Sequence, residues 1–190
     1  MAFTPLSNED LDNRMLQFTI DCNDGEGNAY ACHSVAEFHA VIHNEHDKAA
    51  KVLEKNCDGK NKYGASCFKL GRLLITGKGV EANDAMAFKR FEQACDRGIS
   101  QGCLNLGLML NEGTVVKDPA RALTVFEKAC AQGDQESCFR VGKRLLAAAS
   151  SEAKAGDGLG TSKRDPPRAE RALLSACDAG HAPSCRLLAV

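Results

Sequence analysis

Apolar positions in this chain recur at helical spacing, and the spaced blocks then repeat as wholes. Phe18, Leu53, Phe91, Phe126 and Leu173 each stand four residues before a cysteine, one helical turn back on the same face. Those cysteines are Cys22, Cys57, Cys95, Cys130 and Cys177. A second cysteine follows each after eight or ten positions, at Cys32, Cys67, Cys103, Cys138 and Cys185, and no cysteine is left over. Three residues beyond each second cysteine stand Val35, Leu70, Leu106, Val141 and Leu188, and one further on Ala36, Gly71, Gly107, Gly142 and Ala189. Glycine inside a helix costs about 1 kcal/mol relative to alanine, so its recurrence predicts helices that cross too closely for a larger side chain. Three residues after the first cysteines, Gly25, Gly98, Gly133 and Gly180 fit a helix C-terminus that needs positive φ, with Gly59 filling that role one position early.

First cysteines are separated by 35, 38, 35 and 47 residues, so the underlying period is about 35 and signals an array of supersecondary units. The long step coincides with AAASSEAKAGDGLGTSKRDPP at 147–167, which reads as a loop insertion. Each unit reads as helix A, a glycine-containing turn and helix B. The predicted fold is all-α, a single domain over 1–190 built as an α-solenoid of about five αα-hairpins. The first cysteine falls in the last turn of helix A and the second in the first turn of helix B. A bond between them would clamp the neck of each hairpin.

Charge removes some partners from consideration. Lys and Arg number 24 against 25 Asp and Glu, a net charge of −1, which gives no electrostatic case for nucleic acid or an anionic membrane. No apolar run approaches the length of a membrane span. The opening MAFTPLSNEDLDNRMLQF has neither the apolar core of a secretory signal nor an Arg-rich presequence, and a soluble chain is expected.

The recurring paired Ala, the aromatic, the A-C at the helix end, then C-x-x-L-G and the G-x-G-V loop at Gly77–Val80 resemble the cysteine-rich Sel-1-like repeat family. Within it, residues 47–79 are similar to mitochondrial intermembrane-space members concerned with cytochrome c oxidase assembly. The match departs at the 147–167 insertion and at Val190, where such members continue. The resemblance implies a non-enzymatic protein-binding scaffold, respiratory-complex subunits or assembly factors as partners, and import by oxidative trapping.

Several chemistries compete for the cysteines. Structural zinc prefers pairs two to four residues apart, and thioredoxin-type redox work wants C-x-x-C; neither spacing occurs. Ten buried thiols acting as small hydrophobes remain a possibility, as does a twin C-x9-C hairpin bridged Cys22–Cys67 and Cys32–Cys57. The common register favours bonds inside each unit: Cys22–Cys32, Cys57–Cys67, Cys95–Cys103, Cys130–Cys138 and Cys177–Cys185. Disulfides call for an oxidising compartment, and with no export signal to read, the family's intermembrane space answers that requirement.

Four histidines cluster in CHSVAEFHAVIHNEHD. His39, His43 and His46 are spaced for one helical face, and His39 with His43 could share a metal or approach a haem iron, against the plainer reading of capping and solvent exposure. His39 also occupies a slot held by Leu74, Leu110 and Leu145 in other units. The GKG at 77–79 lacks the phosphate-loop frame and reads as an inter-repeat turn. No catalytic constellation stands out and no cofactor is required, with haem as the one candidate. Alternatives to the scaffold are a permanent respiratory-complex subunit, a haem- or copper-handling thiol-disulfide oxidoreductase, and a secreted bacterial cysteine-rich repeat protein. A short last helix B leaves Leu187, Leu188 and Val190 as the expected partner-binding edge.

Overall fold

The computed structural model describes residues 8–23, 27–150 and 166–189. They form ten helices: α1 Asn8–Cys22, α2 Ala29–Val41, α3 His46–Asp58, α4 Gly64–Thr76, α5 Asp84–Asp96, α6 Ser100–Glu112, α7 Pro119–Ala131, α8 Gln135–Ser150, α9 Pro166–Asp178 and α10 Ala182–Leu188. No strand occurs among the described residues. Odd-numbered helices are the A helices of the repeat and even-numbered ones the B helices. Every first cysteine is the last or next-to-last residue of an A helix, and every second cysteine is the fourth residue of a B helix.

The chain divides into two compact units, 1–90 and 91–190. In the first, α1 packs on α2, α2 on α3 and α3 on α4; in the second, α6 packs on α7, α7 on α8, α8 on α9 and α9 on α10. Within each unit these helices bury their apolar stripes against their neighbours in sequence, the packing logic of a repeat array. The expected register is the core. Leu53, Phe91, Phe126 and Leu173 are buried, as are Val35, Leu70, Leu106 and Val141. Phe18 and Leu188 are only partly buried.

Close crossing explains the helix-B glycines of the second unit. A Cβ on Gly107 of α6 would lie 2.5 Å from Cε1 of Phe126 on α7, and one on Gly142 of α8 would run into Cγ of Leu173 on α9. In each case the glycine of one hairpin receives the large register residue of the next.

Helix ends follow from local chemistry. Asn28 caps α2, its Oδ1 accepting the Tyr30 and Ala31 N–H groups, both at 3.0 Å. Asp118 caps α7 by accepting the Arg121 N–H at 2.9 Å, with Pro119 at the first helical position. The GKG stretch is the expected turn: Gly77 ends α4 at φ +65, and a Cβ on Gly79 would strike the backbone where α3 begins.

Three expectations need correcting. Gly59 does not adopt positive φ; its φ is −69, Lys62 takes the left-handed position at φ 44, and Gly59 is needed because a Cβ there would sit 2.5 Å from the Lys55 carbonyl oxygen. The insertion is narrower than 147–167, because the alanines of 147–149 continue α8 and Pro166, whose missing N–H costs nothing in a first turn, opens α9. Residues 151–165, like Gly25, lie outside the described residues. Finally, His39, His43 and His46 do not share one helix: α2 stops at Val41, Asn44 turns the chain at φ 56, and His46 begins α3.

Candidate functional site

All ten cysteines are paired within their own hairpins, Cys22–Cys32, Cys57–Cys67, Cys95–Cys103, Cys130–Cys138 and Cys177–Cys185, with Cα separations of 4.4–4.9 Å. No free cysteine remains, so the twin C-x9-C bridging and the free-thiol reading both fall. The helix ends are brought together by the turn, and the residue before each second cysteine must be small because it faces the partner helix. Ala31, Ser66, Ser137 and Ser184 are all buried there, and a Cβ on Gly102 would lie 2.6 Å from that of Ala94.

The first unit carries polar chemistry that the repeat pattern does not announce. Asn56 is fully buried one residue before Cys57, where later units place Ala94, Ala129 and Ala176. Its Nδ2 donates to the Ala29 carbonyl at 2.9 Å and to Ser66 Oγ at 2.8 Å, while its Oδ1 accepts from Asn61 at 2.9 Å. Ser66 Oγ in turn lies 3.1 Å from Nδ1 of His33, whose ring meets Tyr63 edge-on at 5.5 Å. Ser66 Oγ thus stands between the Asn56 amide and the His33 ring, and its hydroxyl can either donate to Nδ1 or accept from it. Burial pushes the His33 pKa below its usual value, with Glu37 opposing and Lys69 assisting.

Arg90 is a second departure from register. It holds the slot of Val52, Val125 and Ala172, and Val52 packs against the first unit's disulfide cluster. Arg90 is nearly buried, its Nη1 lies 3.7 Å from Cys57 Sγ, and Asp58 and Glu54 bind its guanidinium. The slot of Asn56 reads Asp21, Asn56, Ala94, Ala129 and Ala176, and that of Arg90 reads Gln17, Val52, Arg90, Val125 and Ala172, so each slot holds a polar residue in two repeats of five.

Two clefts open on the same unit. One, of about 200 Å³, has a floor of Ala36, Ala40, Leu53 and Leu73 and a rim of Lys69, Arg72 and Lys78. The other, of about 340 Å³, is lined by Leu11, Met15, Phe18, Phe38 and Ile42 with Arg14 at its edge. Glu37 and Val41 of α2 border both. Lys69 donates to Glu37 at 2.5 Å, and this bond holds the Glu37 carboxyl below the usual carboxylate range.

The histidine pair is engaged locally. His39 Nδ1 lies 2.9 Å from Glu45 Oε2, closing the turn from α2 to α3, and the His43 ring packs on Phe38 with centroids 4.8 Å apart. The two imidazoles are 6.3 Å apart and tilted. Among the described residues no group of three or more His, Cys, Asp or Glu side chains is arranged to hold a metal ion. Leu187 and Leu188 are half-buried on α10, and Val190 lies outside the described residues.

The Sel1 repeat pattern matches residues 64–99, 100–134 and 149–181, more than half of the chain. The chain belongs to the Sel1 repeat family. The first two Sel1 matches begin on the first residues of α4 and α6, so these two frames run from helix B to the next helix A, and the Cys95–Cys103 disulfide joins them. The fold agrees. A Sel1 repeat protein from Oxalobacter formigenes superposes over 95% of this chain and 72% of its own at a TM-score of 0.78 with 18% identity. Curated relatives include cytochrome c oxidase assembly factor 7 of Xenopus tropicalis, 33% identical over 119 residues covering 60% of this chain and 51% of that protein. The Homo sapiens protein of that name is 33% identical over 112 residues, 57% of this chain and 48% of its own. The chain thus matches about half the length of these relatives.

Proposed function

We propose that this Sel1 repeat protein is a non-enzymatic protein-binding scaffold of the mitochondrial intermembrane space that supports assembly of cytochrome c oxidase. The observation carrying the proposal is the similarity to proteins named cytochrome c oxidase assembly factor 7. The disulfides support the compartment, since five closed pairs require an oxidising environment. The repeat architecture supports the binding role, because such arrays present extended surfaces to other proteins. No helix among the described residues is long and apolar enough to cross a membrane. The partners proposed are respiratory-complex subunits or other assembly factors. Haem and metal are given no part in this proposal, because the His39 and His43 rings lie 6.3 Å apart and tilted and His43 packs on Phe38. The α10 edge at Leu187 and Leu188 is a contact candidate whose test is Leu187→Asp.

Depletion of the protein, followed by native electrophoresis and mass spectrometry of mitochondrial complexes, tests the function. Assembled oxidase should fall while other complexes hold, and the protein should co-migrate with oxidase intermediates. Unchanged oxidase after depletion rejects the assembly role, and permanent residence in a finished complex makes the chain a subunit instead.

A further inference from the structure

The two clefts of the first unit are not independent features. Glu37 and Val41 stand one turn apart on α2, so they form one ridge with a cleft on either side. The ridge is unusually apolar for a surface: Val41 is 75% exposed and its neighbour Ile42 60%. Charge is arranged around it with one sign dominant. Glu37, the acidic residue bordering both clefts, is consumed by Lys69. Arg14 borders the far cleft and Arg72 and Lys78 the near one, with Arg72 adding to the field on Glu37, so four cations line the two clefts against this one carboxylate. The Arg72 guanidinium lies 6.0 Å from the centre of the Phe68 ring, which holds its charge near the rim.

Two apolar depressions across a helix ridge, flanked by cations in excess of carboxylates, are complementary to a helix with apolar anchors on one face and carboxylates beside them. We propose that this paired cleft docks an acidic amphipathic helix of a partner protein, one apolar side chain entering each cleft while carboxylates lie over Arg14 on one flank and Arg72 and Lys78 on the other. The inference rests on the protein-binding reading above and names its site and the chemistry of the partner. A lipid surface is the poorer match, because the apolar area is recessed into clefts and the chain as a whole is slightly acidic, with a net charge of −1.

The test uses the full oxidised chain and three fluorescent helical peptides that share one stripe of leucines and differ only in a polar face of Glu, Gln or Lys. Anisotropy titration should rank Glu above Gln above Lys, with the Glu peptide weakened by added salt. Val41→Asp should weaken the Glu peptide by roughly tenfold or more. The pair Arg72→Glu and Lys78→Glu should do the same and improve the Lys peptide. Each variant is checked for unchanged helical circular dichroism, which these exposed sites should preserve. Absence of saturable binding, equal binding of the three peptides, or indifference to Val41→Asp overturns the proposal. So does Val41-dependent binding to phosphatidylglycerol vesicles in place of peptide. If the peptides fail while the chain still co-migrates with oxidase intermediates, this surface is wrong and the scaffold function stands; loss of co-migration in the wild type removes both.

Discussion

Asn56 shows how one side chain can tie a repeat together. Its amide spans the Ala29 carbonyl on one side and Ser66 on the other, and through Ser66 it is linked to the His33 ring. Asn56→Ala removes three hydrogen bonds at a fully buried site and should lower the unfolding free energy by about 2–3 kcal/mol, measured by urea denaturation of the oxidised protein. Asn56→Ala combined with Ser66→Ala should cost less than the sum of the two, because they share one network. His33 adds a pH signature. Its folded pKa lies below the unfolded value, near 6.5, so the unfolded chain takes up the proton first and stability falls as pH drops through about 6.5. The slope should flatten below the folded pKa. In His33→Gln this component should vanish, so that wild type and variant differ in slope between about pH 7.5 and 5; parallel curves would refute the buried neutral imidazole. His39 behaves otherwise. With the two imidazoles 6.3 Å apart and tilted, the His39→Ala, His43→Ala pair should take up haem no differently from wild type, read from the Soret band; a lost band would assign them as ligands.

At the level of elements, the decisive contact is a large residue of one helix entering a glycine gap on the previous one. Gly107→Ala forces its new methyl against the Phe126 ring, 2.5 Å from Cε1 before relaxation, and should destabilise by about 1–3 kcal/mol, with partial recovery in the Phe126→Leu background. Gly98→Ala makes a useful contrast. Nothing lies within 4 Å of its Cβ, so only the backbone at φ +82 resists, at a cost of about 1–2 kcal/mol that no partner substitution relieves. These contacts were legible in the sequence because a 35-residue register repeats them, and repetition separates a packing demand from chance. Helix boundaries were less legible: the histidine row keeps helical spacing across His39 and His43, while the chain turns at Asn44. Asn56, His33 and Arg90 were not read as a site because their slots vary from repeat to repeat, with Asp21, Arg186 and Gln17 also polar there, and a variable slot carries no periodic signal. The paired clefts depend on side chains from four helices whose approach no spacing rule specifies.

For the whole chain, the clasps differ in access rather than in design. Cys57 and Cys67 are fully buried, whereas Cys177 and Cys185 both retain exposed surface. Attack by a thiolate needs approach to a sulfur. Graded reduction with alkylation and peptide mapping should therefore open Cys177–Cys185 first and Cys57–Cys67 among the last, even though the Arg90 guanidinium beside Cys57 favours its thiolate once formed. Early opening of Cys57–Cys67 would mean that the cation outweighs burial.

The short spans of these bonds have a further consequence, for the search the chain must make. Ten cysteines admit about 900 fully paired patterns, and a random closure would almost always be a wrong one. Here each sulfur meets its partner 8 or 10 residues away, before any other cysteine is comparably near. A chain appearing from its N-terminus completes one pair before the next has emerged, so the choice at each step shrinks from hundreds of patterns to one, and the correct covalent map is written by proximity in the order of the sequence.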